Sequence, residues 1–240
     1  MTDFRRPRWS VFEAVIVFIL ILCLKWAIPF TQMSWFNALS QLVSPHNLYL
    51  GQVFWNSVFM AGLFFLLIGL IIKVKYQLGW QEVGLKPGYG KNWLFFGVSQ
   101  GVLLFLTMTI LMTLISMIYS FEVKEQAIVN VFGVAVTWWE RFLCLLIVAV
   151  AAPLSEELYF RGFLYPAVGK LIGKLPAVIL TSIFFSILHF DLIRFIPITI
   201  GGIWLNLLYI KTGSLYTSMV AHSVWNTIML IILFLAQSVV

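Results

Sequence analysis

Residues 138–168, WWERFLCLLIVAVAAPLSEELYFRGFLYPAV, decide how this chain is read. About 20 apolar residues cross a bilayer, and this stretch is long enough to do so while carrying Glu156, Glu157 and Arg161 in its second half. A charge at the centre of a membrane helix costs roughly 2.5 to 3.5 kcal/mol on insertion scales, so a span that keeps three of them is a functional segment by default.

The same pattern extends outward from it. Seven segments qualify as spans, over residues 11–30, 53–72, 93–119, 138–168, 176–192, 194–210 and 214–236. Ala127–Val136 is apolar too and reads as a re-entrant or interfacial helix, or as an eighth span. The expected fold is therefore all-α, a polytopic membrane helix bundle of about seven transmembrane helices. Composition agrees: of 240 residues 62% are hydrophobic and 10% charged, against about 25% charged in a soluble domain. Ten Trp and twenty-two Phe suit lipid-facing surfaces and interfacial belts. Cys23 and Cys144 lie in separate apolar runs and read as packing residues, with no disulfide framework or thiolate metal site.

The net charge of +6 falls between the spans rather than in one patch, which argues against a nucleic-acid partner. Its distribution reads instead as topology. Arg5, Arg6 and Arg8 precede the first span, and nothing basic lies between Thr31 and Gln52. Lys73, Lys75, Lys86 and Lys91 come next; the loop after the third span has Glu122, Lys124 and Glu125, the one after the fourth has Lys170 and Lys174, and Lys211 precedes the last span. This alternation places the amino terminus in the cytoplasm and, with seven spans, the carboxyl terminus outside. The first apolar stretch exceeds a signal-peptide core and lacks a small-x-small cleavage site, so it is expected to remain. Residues 73–92, rich in Gly, read as a cytoplasmic connection. Residues 1–125 carry helices of unassigned role, and residues 126–240 carry the polar clusters of the same membrane domain.

Glu157 and Arg161 are four apart, acid first, the order that favours an ion pair on one helix face. Glu156 is turned about 100° away and is free to face another group. His189 stands alone in the fifth segment, and His222 and Asn226 share one face of the last. Each cluster alone has a plain reading, as a juxtamembrane charge cluster or as polar glue between helices. Counting from the cytoplasmic ends at ~1.5 Å per residue, however, Glu156 is roughly 18 Å deep, His189 roughly 20 Å, and His222 and Asn226 roughly 12 and 18 Å. Independent structural residues have no reason to share a level. Among the remaining polar residues, Glu13 and Lys25 read as snorkelling near the ends of the first span, and Glu140 and Arg141 as capping the fourth. Asp191 and Arg194 read as an outer turn. Gly201 and Gly202 read as a point of close helix approach.

A carboxylate and an imidazole at one depth can deprotonate a water for attack on a carbonyl, with Glu156 the obvious base. A second imidazole and an amide, His222 and Asn226, can donate to an oxyanion. Alternatively Glu156, His189 and His222 could hold Zn²⁺ or another divalent metal with an open water position, although a His-Glu-x-x-His helix is lacking. Residue types alone leave both open.

These residues also carry a resemblance. Glu156-Glu157-Leu158-Tyr159-Phe160-Arg161 resembles the Glu-Glu-x-x-x-Arg motif of the CPBP family, the CAAX protease and bacteriocin-processing (Abi) intramembrane proteases. Phe185-Ser186-Ile187-Leu188-His189 resembles its Phe-x-x-x-His motif, and His222-Ser223-Val224-Trp225-Asn226 its His-x-x-x-Asn motif. Order and spacing agree over about residues 138–230, and the Phe160-Arg161-Gly162 and Thr212-Gly213-Ser214-Leu215 phrases add to the match. The resemblance implies a membrane endopeptidase in which Glu156 and His189 activate water, His222 and Asn226 stabilise the oxyanion, and Glu157 and Arg161 hold the geometry. It implies a peptide or membrane-protein substrate approaching from the cytoplasmic side and no settled metal requirement, while the short loops, the positive-inside bias and the absence of organelle targeting fit a bacterial plasma membrane. A metal-free mechanism is preferred because Asn226 is a poor fourth ligand. The competing readings are a non-proteolytic scaffold or self-immunity protein, and a proton-coupled transporter.

Overall fold

The computed structural model describes residues 7–88, 92–118, 133 and 135–237, and its regular elements are helical throughout. In chain order these are α1 (Val11–Ala27), α2 (Ser34–Val43), α3 (Leu48–Gly69), α4 (Trp93–Ile118), α5 (Trp138–Ile172), α6 (Lys174–Ile187), α7 (Phe195–Thr212) and α8 (Leu215–Gln237). Six of them, α1, α3, α4, α5, α7 and α8, are long and apolar enough to cross a membrane. The chain is a multi-pass helical membrane protein. The segment expected to span over 176–192 is shorter than its hydropathy suggested. α6 has 14 residues, about 21 Å of helix against the ~30 Å of a hydrocarbon core. It stops in a turn over residues 188–190. Most of the apolar stretch Ala127–Val136 lies outside the described residues.

Helix starts are written in the sequence. Ser10 accepts from the Glu13 amide at 3.4 Å while the Glu13 carboxylate accepts from the Ser10 amide at 2.6 Å, a capping box that satisfies two orphan donors of α1. Thr137 and Glu140 repeat the device at α5, so Glu140 caps as expected. Glu13 does not snorkel. It is buried and accepts from Lys75 Nζ at 2.7 Å and the Tyr76 hydroxyl at 2.8 Å, tying the start of α1 to the chain just beyond α3.

α5 is the axis of the molecule. From residue 157 to residue 168 every position is buried, the mark of a helix packed on all sides. The amino-terminal helices contribute to that packing. Trp9 stacks on Phe163 with ring centroids 5.2 Å apart and donates its indole N–H to the Phe163 carbonyl at 2.8 Å, while Phe18 and Phe64 pack against Tyr159. Gly162 is needed here, since a Cβ would stand 2.8 Å from the Val83 carbonyl oxygen.

Two wider, π-helical turns interrupt α5, over Leu146–Ala151 and Leu158–Leu164. Each ends two residues before a proline, Pro153 and Pro166. Proline has no N–H to continue the ladder, and a π turn redistributes the free carbonyls.

The two ends of the bundle differ. At one end lie Lys75 beside Glu13, Lys170 Nζ at 3.1 Å from the Pro7 carbonyl, Lys211 over the Phe96 ring, and the 79–88 connection, whose Gly84 carbonyl accepts from the Leu215 amide at 2.8 Å. At the other end α2 lies across the start of α3. There Gly51 is so close to Ser40 that a Cβ would meet its carbonyl oxygen at 2.2 Å, and Trp139 donates to the Val43 carbonyl at 2.6 Å.

Candidate active site

Glu157 is the hub of the site. Its carboxylate is wholly buried and receives the Arg161 guanidinium at 2.9 Å, His222 Nδ1 at 2.9 Å and the Ser218 hydroxyl. Arg161 is equally buried. It donates a second bond to the Gly202 carbonyl at 3.2 Å and lies over the Phe185 ring, 4.6 Å from its centroid. The pair expected at four-residue spacing therefore forms, in a setting where either partner alone would be an uncompensated buried charge. Gly202 also permits the approach of α7 to α6, since a Cβ there would stand 3.0 Å from that of Ser182.

The hub fixes the chemistry of His222. Glu157, ionised beside Arg161, only accepts, so Nδ1 of His222 carries the proton and donates it. In the neutral ring Nε2 then presents a lone pair. That nitrogen lies 3.8 Å from a Glu156 carboxylate oxygen, too far for a direct hydrogen bond but open to a water that touches both. The Glu156 side chain is 31% exposed where that of Glu157 is 0%. Adjacent glutamates thus have opposite surroundings, as their 100° offset on the helix implies.

His189 sits just beyond the end of α6, in the turn, and is exposed. Its Nδ1 lies 2.8 Å from the Phe185 carbonyl, which can only accept, so Nδ1 carries a proton and, in the neutral ring, Nε2 holds the lone pair. The Phe185 ring is edge-on to both imidazoles, with centroids 4.7 Å from His189 and 6.1 Å from His222. The close carboxylate–imidazole pair is therefore Glu156 with His222 rather than with His189. Asn226 is placed by α5. In the first π turn the Ala152 amide bonds to the Ile147 carbonyl; the next bond in that register would run from residue 153 to Val148, and residue 153 is proline. Asn226 Nδ2 donates to that Val148 carbonyl at 2.9 Å. One of its N–H groups is thereby committed to the backbone, and the other remains.

A cavity of about 670 Å³ reaches Glu156. Its walls come from the end of α1 and the segment after it, from α3, and from Ala151, Ala152 and Ser155 of α5.

Residues 137–228 match the family model described as "Rce1-like: Type II CAAX prenyl endopeptidase Rce1-like", a span that holds every residue of the site. The comparison thus supports the CPBP resemblance of this segment. Over 97 residues the chain is 32% identical to the human protein "CAAX prenyl protease 2", covering 32% of this chain and 30% of that one. Over 89 residues it is 27% identical to "Putative membrane peptidase YdiL" of Bacillus subtilis (strain 168), covering 37% and 36%. The chain thus spans about a third of the length of these curated relatives. No solved structure matches it.

Within this segment the fit of a metal can be tested on the ligands themselves. Among the described residues no three His, Cys, Asp or Glu side chains converge as a metal-holding group. Of the set Glu156, His189 and His222, it is Glu156 and His222 that stand within 4 Å of each other.

Sequence reading missed three contributors. Ser218 is four residues before His222 and eight before Asn226, on one face of α8, and that spacing alone would have found it. The Gly202 carbonyl was hidden behind a packing role. Pro153, which lies inside the 138–168 span, is the reason Asn226 has a backbone acceptor to bind.

Proposed function

We propose that this chain is an intramembrane endopeptidase in which Glu156 and His222 hold and deprotonate a water that attacks a peptide carbonyl. The observation that carries this reading is the 3.8 Å separation of the Glu156 carboxylate and His222 Nε2, with the opposite ring nitrogen locked on Glu157. Glu156 takes a proton from the water, the hydroxide oxygen bonds to the carbonyl carbon, and the carbonyl electron pair moves to oxygen. As the C–N bond breaks, the proton passes from Glu156 to the departing amine nitrogen. The second N–H of Asn226 is the donor for the oxyanion, a contribution worth about 3 kcal/mol in other hydrolases. With Nδ1 held on Glu157, His222 turns Nε2 toward Glu156. Glu157, Arg161 and Ser218 position it. His189, with its Nε2 free to accept, orients the substrate amide or the water from across Phe185. The substrate is a membrane-associated polypeptide, and the setting a bacterial plasma membrane with the amino terminus inside.

The test is cleavage of a fluorogenic peptide library by the purified protein in detergent. Glu156→Ala and His222→Ala are each expected to lose about 100-fold or more in rate, and unchanged cleavage in either overturns the mechanism. A second reading, a bound metal, is favoured by the Nδ1 hydrogen bonds of both histidines, which orient the rings as in metal sites and leave Nε2 as the ligand atom of a neutral ring. Stoichiometric zinc, lost together with activity under chelation, would decide for it.

A further inference from the structure

We infer that a single buried water joins Arg161 Nε to Asn206 Oδ1, and that Asn206 is thereby a positioning residue for the site. The positioning role rests on the endopeptidase reading; the water site does not.

Asn206 lies within α7 and is 1% exposed. Its orientation is fixed by α6. The Thr181 and Ser182 hydroxyls donate to the Ala177 and Val178 carbonyls at 2.8 and 2.7 Å, so toward Asn206 their oxygens can only accept. Asn206 Nδ2 donates to both, at 3.3 and 3.0 Å. A flipped amide would set its oxygen against two oxygens whose protons are already committed. Oδ1 is therefore turned away from these hydroxyls, and among the described residues it is a buried acceptor without a hydrogen-bond partner.

The matching donor belongs to the hub. Arg161 gives Nη1 to Glu157 and Nη2 to the Gly202 carbonyl, while its buried Nε–H has no hydrogen-bond partner among the described residues. The guanidinium is a rigid planar fork in which Nε–H projects from the same edge as Nη2, so it too is aimed at α7. The level along α7 follows from the packing of the two helices. They run side by side in the same sense, with Arg161 on Gly202 and the Tyr165 ring 6.4 Å from that of Tyr209. The Arg161 side chain reaches back toward Glu157, four residues earlier. Nε therefore lies on the Tyr165 side of Nη2, which is the Asn206 side of Gly202. Gly202, Asn206 and Tyr209 share one face of α7 by their i, i+4, i+7 spacing, and the first two are ~6 Å apart along it.

A charged donor and a neutral acceptor thus face one another from adjacent helices, beyond the reach of a direct bond. Lipid can serve neither. One water serves both, accepting from Nε–H and donating to Oδ1, and two polar partners are within the range of about two to four that hold a buried water. The guanidinium is then held on α7 at two points, the Gly202 carbonyl and Asn206, above the Phe185 ring. Held there, it keeps the Glu157 carboxylate in place, and Glu157 keeps His222 Nδ1. Asn206 touches no reacting atom; it acts through Arg161.

The experiment is nuclear magnetic resonance of the full chain in detergent, with arginine labelled with nitrogen-15 at Nε. The chain has six arginines. Arg5→Lys, Arg6→Lys, Arg8→Lys, Arg141→Lys and Arg194→Lys each remove one other signal, which assigns that of Arg161. A rotating-frame Overhauser cross-peak between this Nε–H and water, with the sign of dipolar contact and not of proton exchange, is expected in the unaltered protein. It is expected to vanish in Asn206→Leu, which removes the acceptor, and to persist in Ser182→Ala, which loosens the same contact of α6 with α7 but leaves Oδ1. In Asn206→Leu, kcat for peptide cleavage is expected to fall about tenfold with KM unchanged, the sign of a reacting group held less well rather than of weaker binding. Absence of the cross-peak in the unaltered protein, or its survival in Asn206→Leu, overturns the water site. Its loss with kcat unchanged overturns the positioning role and leaves Asn206 as glue between helices. A cross-peak that behaves as expected in a protein that cleaves no peptide upholds the water site and removes the endopeptidase reading.

Discussion

Glu156 and Glu157 are neighbours with opposite duties, and single-atom changes separate them. Glu157→Gln removes a charge from a carboxylate that balances the buried Arg161 and orients His222. Breaking a buried pair from one side costs about 3 kcal/mol or more, so this variant is expected to unfold at lower temperature in detergent and to lose activity together with stability. Glu156→Gln changes a side chain that is 31% exposed; it is expected to stay within about 0.5 kcal/mol of the parent while cleavage falls about 100- to 10,000-fold. Thermal unfolding followed by near-ultraviolet circular dichroism, alongside peptide cleavage, reads both. Equal destabilisation by the two changes would remove the distinction on which the assignment of the base rests. The spacing of Glu157 and Arg161 made their pairing legible in the sequence. That His222 would be held on Glu157 and face Glu156 was not legible, because rotation of α8 about its axis is set by Ser218 and by the packing of α4, neither of which appears in a motif.

At the level of elements, α5 shows why hydropathy gives the existence of a helix and not its winding. Proline in an apolar run reads as a stop, yet here the helix continues through both Pro153 and Pro166 by widening the turn before each. In a membrane the released carbonyl must find a donor inside the protein, and Asn226 supplies one to Val148. The prediction is a thermodynamic coupling between two residues 73 positions apart. Asn226→Ala alone is expected to cost about 1 to 3 kcal/mol, the range for a buried acceptor left without its partner. In a Pro153→Ala background the residue 153 amide can bond to Val148 itself, so the same change is expected to cost about 1 kcal/mol less. Denaturant unfolding of the four proteins of the cycle in mixed micelles measures the difference. Additive costs would mean that the Asn226–Val148 bond is incidental. A shorter reach of the same argument applies to α6. Its apolar content was visible, but its stop at Ile187 was not, since Leu188, His189 and Phe190 carry no Gly or Pro and only the positive φ of Phe190 breaks the helix.

Across the whole molecule, the sequence divides into amino-terminal helices without a motif and a CPBP-like segment with three, yet the core does not respect that boundary. Trp9, Val17, Ile21 and Ile68 belong to the same buried cluster as Tyr159, Phe163 and Phe185. Because lipid tails are as apolar as leucine, what these contacts supply is packing and hydrogen bonding rather than escape from water. The polar terms are specific: the Trp9 indole serves the Phe163 carbonyl and the Tyr159 hydroxyl reaches the Ala14 carbonyl at 3.2 Å, both buried. A fragment of residues 126–240 would keep all seven motif residues but leave the Tyr159 hydroxyl without an acceptor in hydrocarbon, strip one flank of α5, and remove two of the three walls of the cavity at Glu156. Such a fragment is therefore expected to insert but to run as a heterogeneous species in size-exclusion chromatography, to be cut within α5 by a protease that spares the full chain, and to cleave no peptide. Co-expression of residues 1–125 as a separate chain is expected to restore protection of α5, because the contacts that order it cross the division rather than depend on its covalent continuity. A fragment that is monodisperse, protected and active by itself would show that the amino-terminal helices are an appendage.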